Sequence, residues 1–253
     1  TYHQRAQYAQ GLKVLDTIEQ EVNANTSLPD SVLKVEVRVR INTERARILR
    51  DMKENSKALP LLASAWSMID STKQFPDDDL VLDVLHLLAM LQSTPQDKIQ
   101  WNQRAFAKAS SSEHPDATHW VAVLGDNLGW SYLETGNAPA SLHHFEAALA
   151  ARKKLGDAEC IRLAKWMVAR ALRANKQQQN AINYLKELEA EYIALGLDDG
   201  YVFEEMAENL HELNQDDAAK PYFKKAWDIL QNDTLMCEHH PEHRLERLHE
   251  LGN

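Results

Sequence analysis

The chain has 253 residues, 44% of them hydrophobic, and carries 28 lysines and arginines against 38 aspartates and glutamates, a formal net charge of -10. That apolar content supports a substantial folded core, in one long domain or two short ones, and argues against a disordered chain. The surplus of acid repels phosphate backbones and anionic headgroups, so neither nucleic acid nor a lipid surface is an expected partner. Only 8 glycines and 8 prolines occur, which favours helix over an all-β fold.

In chain order, the first expected element is a helix from about Tyr2 to Val22. It reads as the second member of a pair whose first member is absent, so a chain that opens at Thr1 reads as a processed protein or a piece of a longer one. Pro29-Asp30, Ser56, Pro76-Asp77-Asp78, Thr94-Pro95, Pro115-Asp116, Asn137 and Asp198-Asp199 each sit where a helix should begin, as N-caps or first-turn residues. The longest apolar run, Leu80 to Leu91, is broken by Asp83 and His86 and is too short to span a bilayer. In all, eleven or twelve helices with short connections are expected. After Asp233 the pattern changes, and Pro241 begins a short amphipathic helix carrying Leu245, Leu248 and Leu251 before Gly252, which suits a cap over the last open face of a stack.

The chain repeats itself. Small residues recur at Ala46, Gly129, Ala169 and Ala207 in the first helix of successive pairs, and Ala58, Ser141, Ala181 and Ala219 answer in the second helices. Gly129 and Ala169 are 40 residues apart, Ala169 and Ala207 are 38 apart, and the gap from Ala46 to Gly129 holds one further pair, in which His86 falls where a small residue is expected, with Trp101 and Ala105 in the second helix. Pro60 and Pro221 each follow the small residue of a second helix by two positions, near the first turn, where a missing N–H costs least. The five pairs lie near residues 30–75, 77–112, 115–155, 157–195 and 198–232, making residues 1–232 one repeat domain and residues 233–253 a tail.

The unit from Ala122 to Lys153 resembles the tetratricopeptide repeat (TPR): Leu128, Gly129, Tyr132, Gly136, Phe145 and Ala148 stand at matching positions of that signature. It departs from the signature at Gly125, where the family has tryptophan, and at Lys153, where it has proline. Units longer than the family's roughly 34 residues are similar to the extended-helix repeats of kinesin light chain and of bacterial peptide-sensing regulators. The resemblance implies an all-α fold, a right-handed α-solenoid of about five TPR-like helix pairs with a short C-terminal capping helix. It also implies a concave groove, lined by first helices, that binds peptides or partner helices.

Placed on that geometry, the first pair would present Arg40, Thr43, Arg47 and Arg50; the third Asp126, Asn127 and Trp130; the fourth Trp166, Arg170 and Arg173; and the fifth Tyr201, Glu204, Glu208 and His211. Such a groove runs from basic through aromatic to acidic and suits an extended peptide of mixed charge, with the arginines and Asn127 as hydrogen-bonding groups and the two tryptophans as apolar anchors. A second reading stands beside this one: the charges form a solvated face, the tryptophans fill the core between repeats, and Asn127 ties neighbouring repeats together.

Other chemistry finds no frame. Cys160 and Cys237 belong to no CxxC pattern, which fits a reducing, cytoplasmic setting, and the sequons at Asn25 and Asn232 matter only in a secretory protein. Cys237, His239, His240 and His243 crowd together without a metal-ligand spacing, and no phosphate-cradling glycine loop or HExxH occurs. No catalytic residue, metal or cofactor is expected. The expected function is a non-catalytic interaction scaffold, or alternatively the regulatory or sensor region of a larger signalling or transcription protein. A homodimer through an uncapped N-terminal end is the expected self-association.

Overall fold

The computed structural model describes residues 7–25, 32–72, 75–233 and 241–253. Among them are twelve α-helices and no strand: α1 (Tyr8–Ala24), α2 (Val32–Asp51), α3 (Asn55–Ser71), α4 (Asp78–Met90), α5 (Pro95–Ser111), α6 (Ala117–Glu134), α7 (Ala138–Leu155), α8 (Ala158–Ala174), α9 (Gln178–Ala194), α10 (Gly200–Glu212), α11 (Asp216–Leu230) and α12 (Pro241–Gly252). The expected start at Pro29-Asp30 lies outside the described residues, as do Cys237, His239 and His240. The chain divides into two compact units, Thr1–Ser131 and Tyr132–Asn253.

In the first unit each helix packs on the next in order from α1 to α5, and α2 also touches α4. The Asp77 side chain accepts the Leu80 N–H at 2.9 Å and starts α4. Thr94 caps α5 by accepting the Asp97 N–H at 3.1 Å, with Pro95 in the first turn. The core gathers Ala46 and Leu49 of α2, Ala58, Leu62 and Ala65 of α3, Leu82, Leu85 and Leu88 of α4, Ala105 of α5 and Leu124 of α6. Trp66 and Trp101 meet edge to face across the second helices at 6.0 Å. Each fully buried leucine contributes about 1.5–3 kcal/mol, and the alanines let the backbones approach closely enough to realise it.

The second unit follows the same plan from α7 to α12, with α8 also touching α10. Asn137, Asp157 and Asp199 cap α7, α8 and α10 by accepting backbone N–H groups. Ser141, Ala169, Ala181, Ala207 and Ala219, the expected close-approach positions, are all buried, and Phe145, Leu185, Met206 and Phe223 fill the spaces between them. Helix α12 lies on α11. Its Gly252 is the point of contact: a Cβ there would sit 2.8 Å from the Lys224 backbone nitrogen, so only glycine fits without a shift. Pro60 and Pro221 are each the sixth residue of their helix, one turn deeper than expected, where a proline removes an intrahelical hydrogen bond.

The first helices α2, α6, α8 and α10 all end in one way. A residue of positive φ, Lys53 (64°), Gly136 (74°), Lys176 (59°) or Asn214 (57°), is followed by one whose N–H reaches back five residues, as Glu54 does to the Leu49 carbonyl at 2.8 Å and Gln177 to that of Leu172 at 2.9 Å. This closure satisfies the last carbonyls and turns the chain directly into the second helix.

Contacts between first helices set the repeat spacing. Trp166 meets Tyr201 and Arg170 meets Glu205, each 35 residues on, so neighbours touch three residues short of the 38 that separate Ala169 from Ala207. Arg47 meets Asp83 after 36 residues and His86 meets Asn127 after 41. With the same three-residue offset, the counterparts of Ala46 and of Gly129 coincide at Leu85, which is 1% exposed, and not at His86. His86 is the next residue, level with Arg47 and Trp130. One residue of slip turns a side chain by about 100° around a helix, enough to exchange core for face.

Candidate partner-binding faces

In the first unit the face of α2, α4 and α6 is a network of paired polar groups. Arg40 bonds Glu36 at 3.0 Å and also Asp77. Arg47 bonds Asp83 at 2.6 Å, and Arg50 bonds Asp51 at 2.8 Å. Thr43 is buried and donates to the Val39 carbonyl at 2.8 Å, so it is not on the face. Asn127 and His86 approach at 3.3 Å between side-chain nitrogens, and the His86 ring lies 5.7 Å from Trp120, whose indole N–H donates to Asp79 at 2.6 Å. Asp126 and Trp130 are half-buried on α6. Burial pushes the Asp83 carboxyl up against the pull of Arg47.

Burial, together with the Arg50 and Arg47 charges, holds the His86 pKa down, from 6.5 to about 4. A ring that resists protonation only when folded makes the chain more stable above its unfolded pKa, and that advantage is lost as pH falls from 6.5 toward 4. By pH 5 His86 alone should cost about 2 kcal/mol of unfolding free energy. We expect His86→Gln to shrink the difference between urea unfolding curves at pH 7.5 and pH 5 by that amount; an unchanged difference would place the acid sensitivity elsewhere.

The second unit brings seven expected residues, Trp166, Arg170 and Arg173 and then Tyr201, Glu204, Glu208 and His211, onto the adjacent helices α8 and α10. The Trp166 indole N–H donates to the Tyr201 carbonyl at 3.1 Å, and the two rings lie edge to face at 6.1 Å. Arg170 sits 5.9 Å over Trp166 and 3.4 Å from Glu205, and Arg173 reaches Glu205 at 2.5 and 3.0 Å and Glu212 at 3.1 Å. Burial alone would lower the Arg173 pKa, but hydrogen bonds and attraction to Glu205 outweigh it and the pKa is raised. Glu204 and Glu208 are held by Arg244 and Arg247 of α12. Tyr201 donates to Asp233 at 3.2 Å, and His211 pairs with Asp216 at 2.6 Å. The charges expected to await a ligand therefore already have partners on neighbouring helices, a feature invisible to a reading of one helix at a time.

Between α8, the end of α9 and the start of α10 opens a mostly apolar cavity of about 430 Å³, framed by Leu163, Trp166, Tyr192 and Tyr201, with Cys160 and Arg162 at its edge. The Arg162 guanidinium lies 5.5 Å over the Tyr192 ring, and Asp199, which accepts from the Tyr201 and Val202 N–H groups, also lines the cavity. Leu163 is 49% exposed, and the α9–α10 connection exposes Leu195 and Leu197 as well. Trp166 and Tyr201 are among the residues expected from the sequence, whereas Leu163, Tyr192 and Arg162 are not, because a leucine one turn before an aromatic reads as core and only the fold leaves Leu163 exposed.

Among the described residues, Asp79, His114 and Asp116 bring possible metal-ligand atoms within 4.8 Å of one another. Asp79 already accepts the Trp120 N–H, and His114 Nδ1 already accepts the Asp116 N–H at 3.2 Å, so two of the three are engaged. His243, the described member of the tail cluster, has a side chain 99% exposed. No described helix is long and apolar enough to cross a membrane.

These helix pairs, with small buried residues at each close approach, have the fold of TPR-like helical-repeat proteins. Residues 121–155 match the tetratricopeptide repeat family model. No curated protein matches the sequence. Solved structures do: nearly identical TPR-like repeats assigned to a kinesin light chain of Podosopora anserina, 21% identical, cover 76% of this chain and 94% of their own at a TM-score of 0.61. BtubC (BKLC) from P. vanneervenii, 15% identical, covers 95% of this chain and 94% of its own at 0.66. The STAND signal-transduction ATPase of Pyrococcus horikoshii, which has a TPR sensor, is 14% identical over 91% of this chain and 34% of its own at 0.57.

Proposed function

We propose that this chain is a non-catalytic interaction scaffold that holds a peptide or a partner's helix against its first helices, and that in the second unit the anchor point is the cavity framed by Trp166 and Tyr201. The observation that carries this reading is the cavity itself. Its volume suits one or two large side chains, its aromatic walls are held by the indole-to-carbonyl hydrogen bond, and an exposed leucine stands at its mouth. The paired arginines and glutamates around it supply a rim of fixed polarity, while Arg40, Arg47, Arg50, Asp126, Asn127 and Trp130 offer a second, more polar face in the first unit.

The test is selection of displayed random peptides on the immobilised full chain, followed by fluorescence anisotropy with the enriched peptides. Leu163→Asp and Trp166→Ala, each shown by circular dichroism to keep its helix content, should weaken binding at least tenfold, since a central aromatic anchor is worth about 2 kcal/mol or more. Peptides that bind both variants as well as the parent chain would move the site off this cavity, and a selection that enriches nothing would count against the scaffold reading.

A further inference from the structure

Helix α12 shows what the outer side of α10 recognises. Glu204 and Glu208, one turn apart on α10, are each gripped by a two-pronged arginine: Arg244 Nε donates to Glu204 at 2.5 Å while its Nη2 holds the second oxygen, and Arg247 donates to the two Glu208 oxygens at 2.9 and 3.1 Å. Arg244 also lies 5.6 Å over the Tyr201 ring. Directly after the second arginine, Leu248 is 1% exposed, and Gly252 closes on the Lys224 backbone. The docking stripe thus reads Arg-x-x-Arg-Leu. Elsewhere on α12, His243, Glu246, His249 and Glu250 are exposed, Leu245 and Leu251 are half-buried, and the His249 ring lies 4.8 Å from Trp227 of α11. A helix held by two charged forks and one fully buried leucine can be exchanged for another with the same stripe, because the groups left behind on α10 are carboxylates that water or a new arginine can serve.

We propose that the α10–α11 face bearing Glu204 and Glu208 is a docking site for a helix of a partner protein that carries two arginines three residues apart followed directly by leucine, and that α12 fills this site in cis as a displaceable surrogate. The proposal rests on the helix-holding reading above: Tyr201, Glu204 and Glu208 share one stripe of α10, and Arg244 lies over the Tyr201 that frames the cavity. The docking site is read by changes at Glu204 and Glu208 and the cavity by changes at Leu163 and Trp166, so the failure of one is distinguished from the failure of the other. Covalent attachment gives α12 a high effective concentration, on the order of millimolar for a short connection, and a partner helix must therefore add apolar contacts beyond the stripe to prevail.

The experiment uses a fluorescent peptide of residues 241–253 and the full-length chain. Arg244→Glu, Arg247→Glu and Leu248→Asp together vacate the site in cis. The peptide should bind the vacated chain at least tenfold more tightly than the intact one, and adding Glu204→Lys and Glu208→Lys should abolish that binding. A peptide with glutamate in place of both arginines should restore it. In the intact chain, amides of residues 244–252 should exchange with deuterium faster than those of α10 and α11. Equal peptide binding to intact and vacated chains, no binding to a vacated chain of unchanged helix content, or α12 amides as protected as those of α10 would each overturn the proposal by making α12 a permanent cap.

Discussion

Glu205→Ala should lower the unfolding free energy of the chain by about 3 kcal/mol, more than any other single charge removal on these faces. The Glu205 side chain is 2% exposed and is the shared acceptor of Arg170, Arg173 and the Asn209 amide. Deleting it strands the Arg173 guanidinium, which is 20% exposed, without its main counter-charge. Breaking a buried pair in this way costs roughly 3–5 kcal/mol, and the lower end applies because Arg170 reaches water and Glu212 remains beside Arg173. Glu205→Gln keeps an acceptor and should cost about half as much. Urea unfolding followed by circular dichroism measures both, and a loss under 1 kcal/mol for the alanine variant would mean that the cluster is solvated rather than buried.

The repeat spacing makes the second large prediction. Leu85 occupies the close-packed position of its helix, so Leu85→Ala should cost about 2–5 kcal/mol. His86→Ala, one residue later, loses the Asn127 contact and an edge of Trp120 and should cost about 1 kcal/mol at pH 7.5. The reverse order would restore His86 to the core position and dissolve the polar network assigned to its face.

How much was legible in the sequence depended on whether the signal was local. Gly136 and Asn137 announce the end of α6 and the cap of α7, and both do what their chemistry suggests. Lys53 and Lys176 make the same left-handed closure with no local sign, because the strain on a lysine there is outweighed by the packing of the pair it joins. The small residues gave the pairing because alanine and glycine at fixed intervals are a property of the chain itself. The faces were harder. Arg47, Arg170 and Arg173 were visible as charged stripes, but their partners lie 32 to 39 residues on, and a spacing wrong by one residue hides every such pair. Leu248 fits the apolar pattern of a capping helix, whereas Arg244 and Arg247 take their meaning only from Glu204 and Glu208, 40 and 39 residues earlier in the chain.

The arginine and carboxylate pairs have a further effect on assembly of the fold. Along the second unit the first-helix faces alternate in sign: Arg170 and Arg173 on α8, then Glu204, Glu205 and Glu208 on α10, then Arg244 and Arg247 on α12. Helix pairs built on one template are prone to stack in the wrong order while the chain folds, since any apolar edge will accept any other. Alternating sign penalises the skipped arrangement, because α12 brought against α8 would set arginine on arginine. The charges thus act as an address label, telling each helix pair which neighbour is its own.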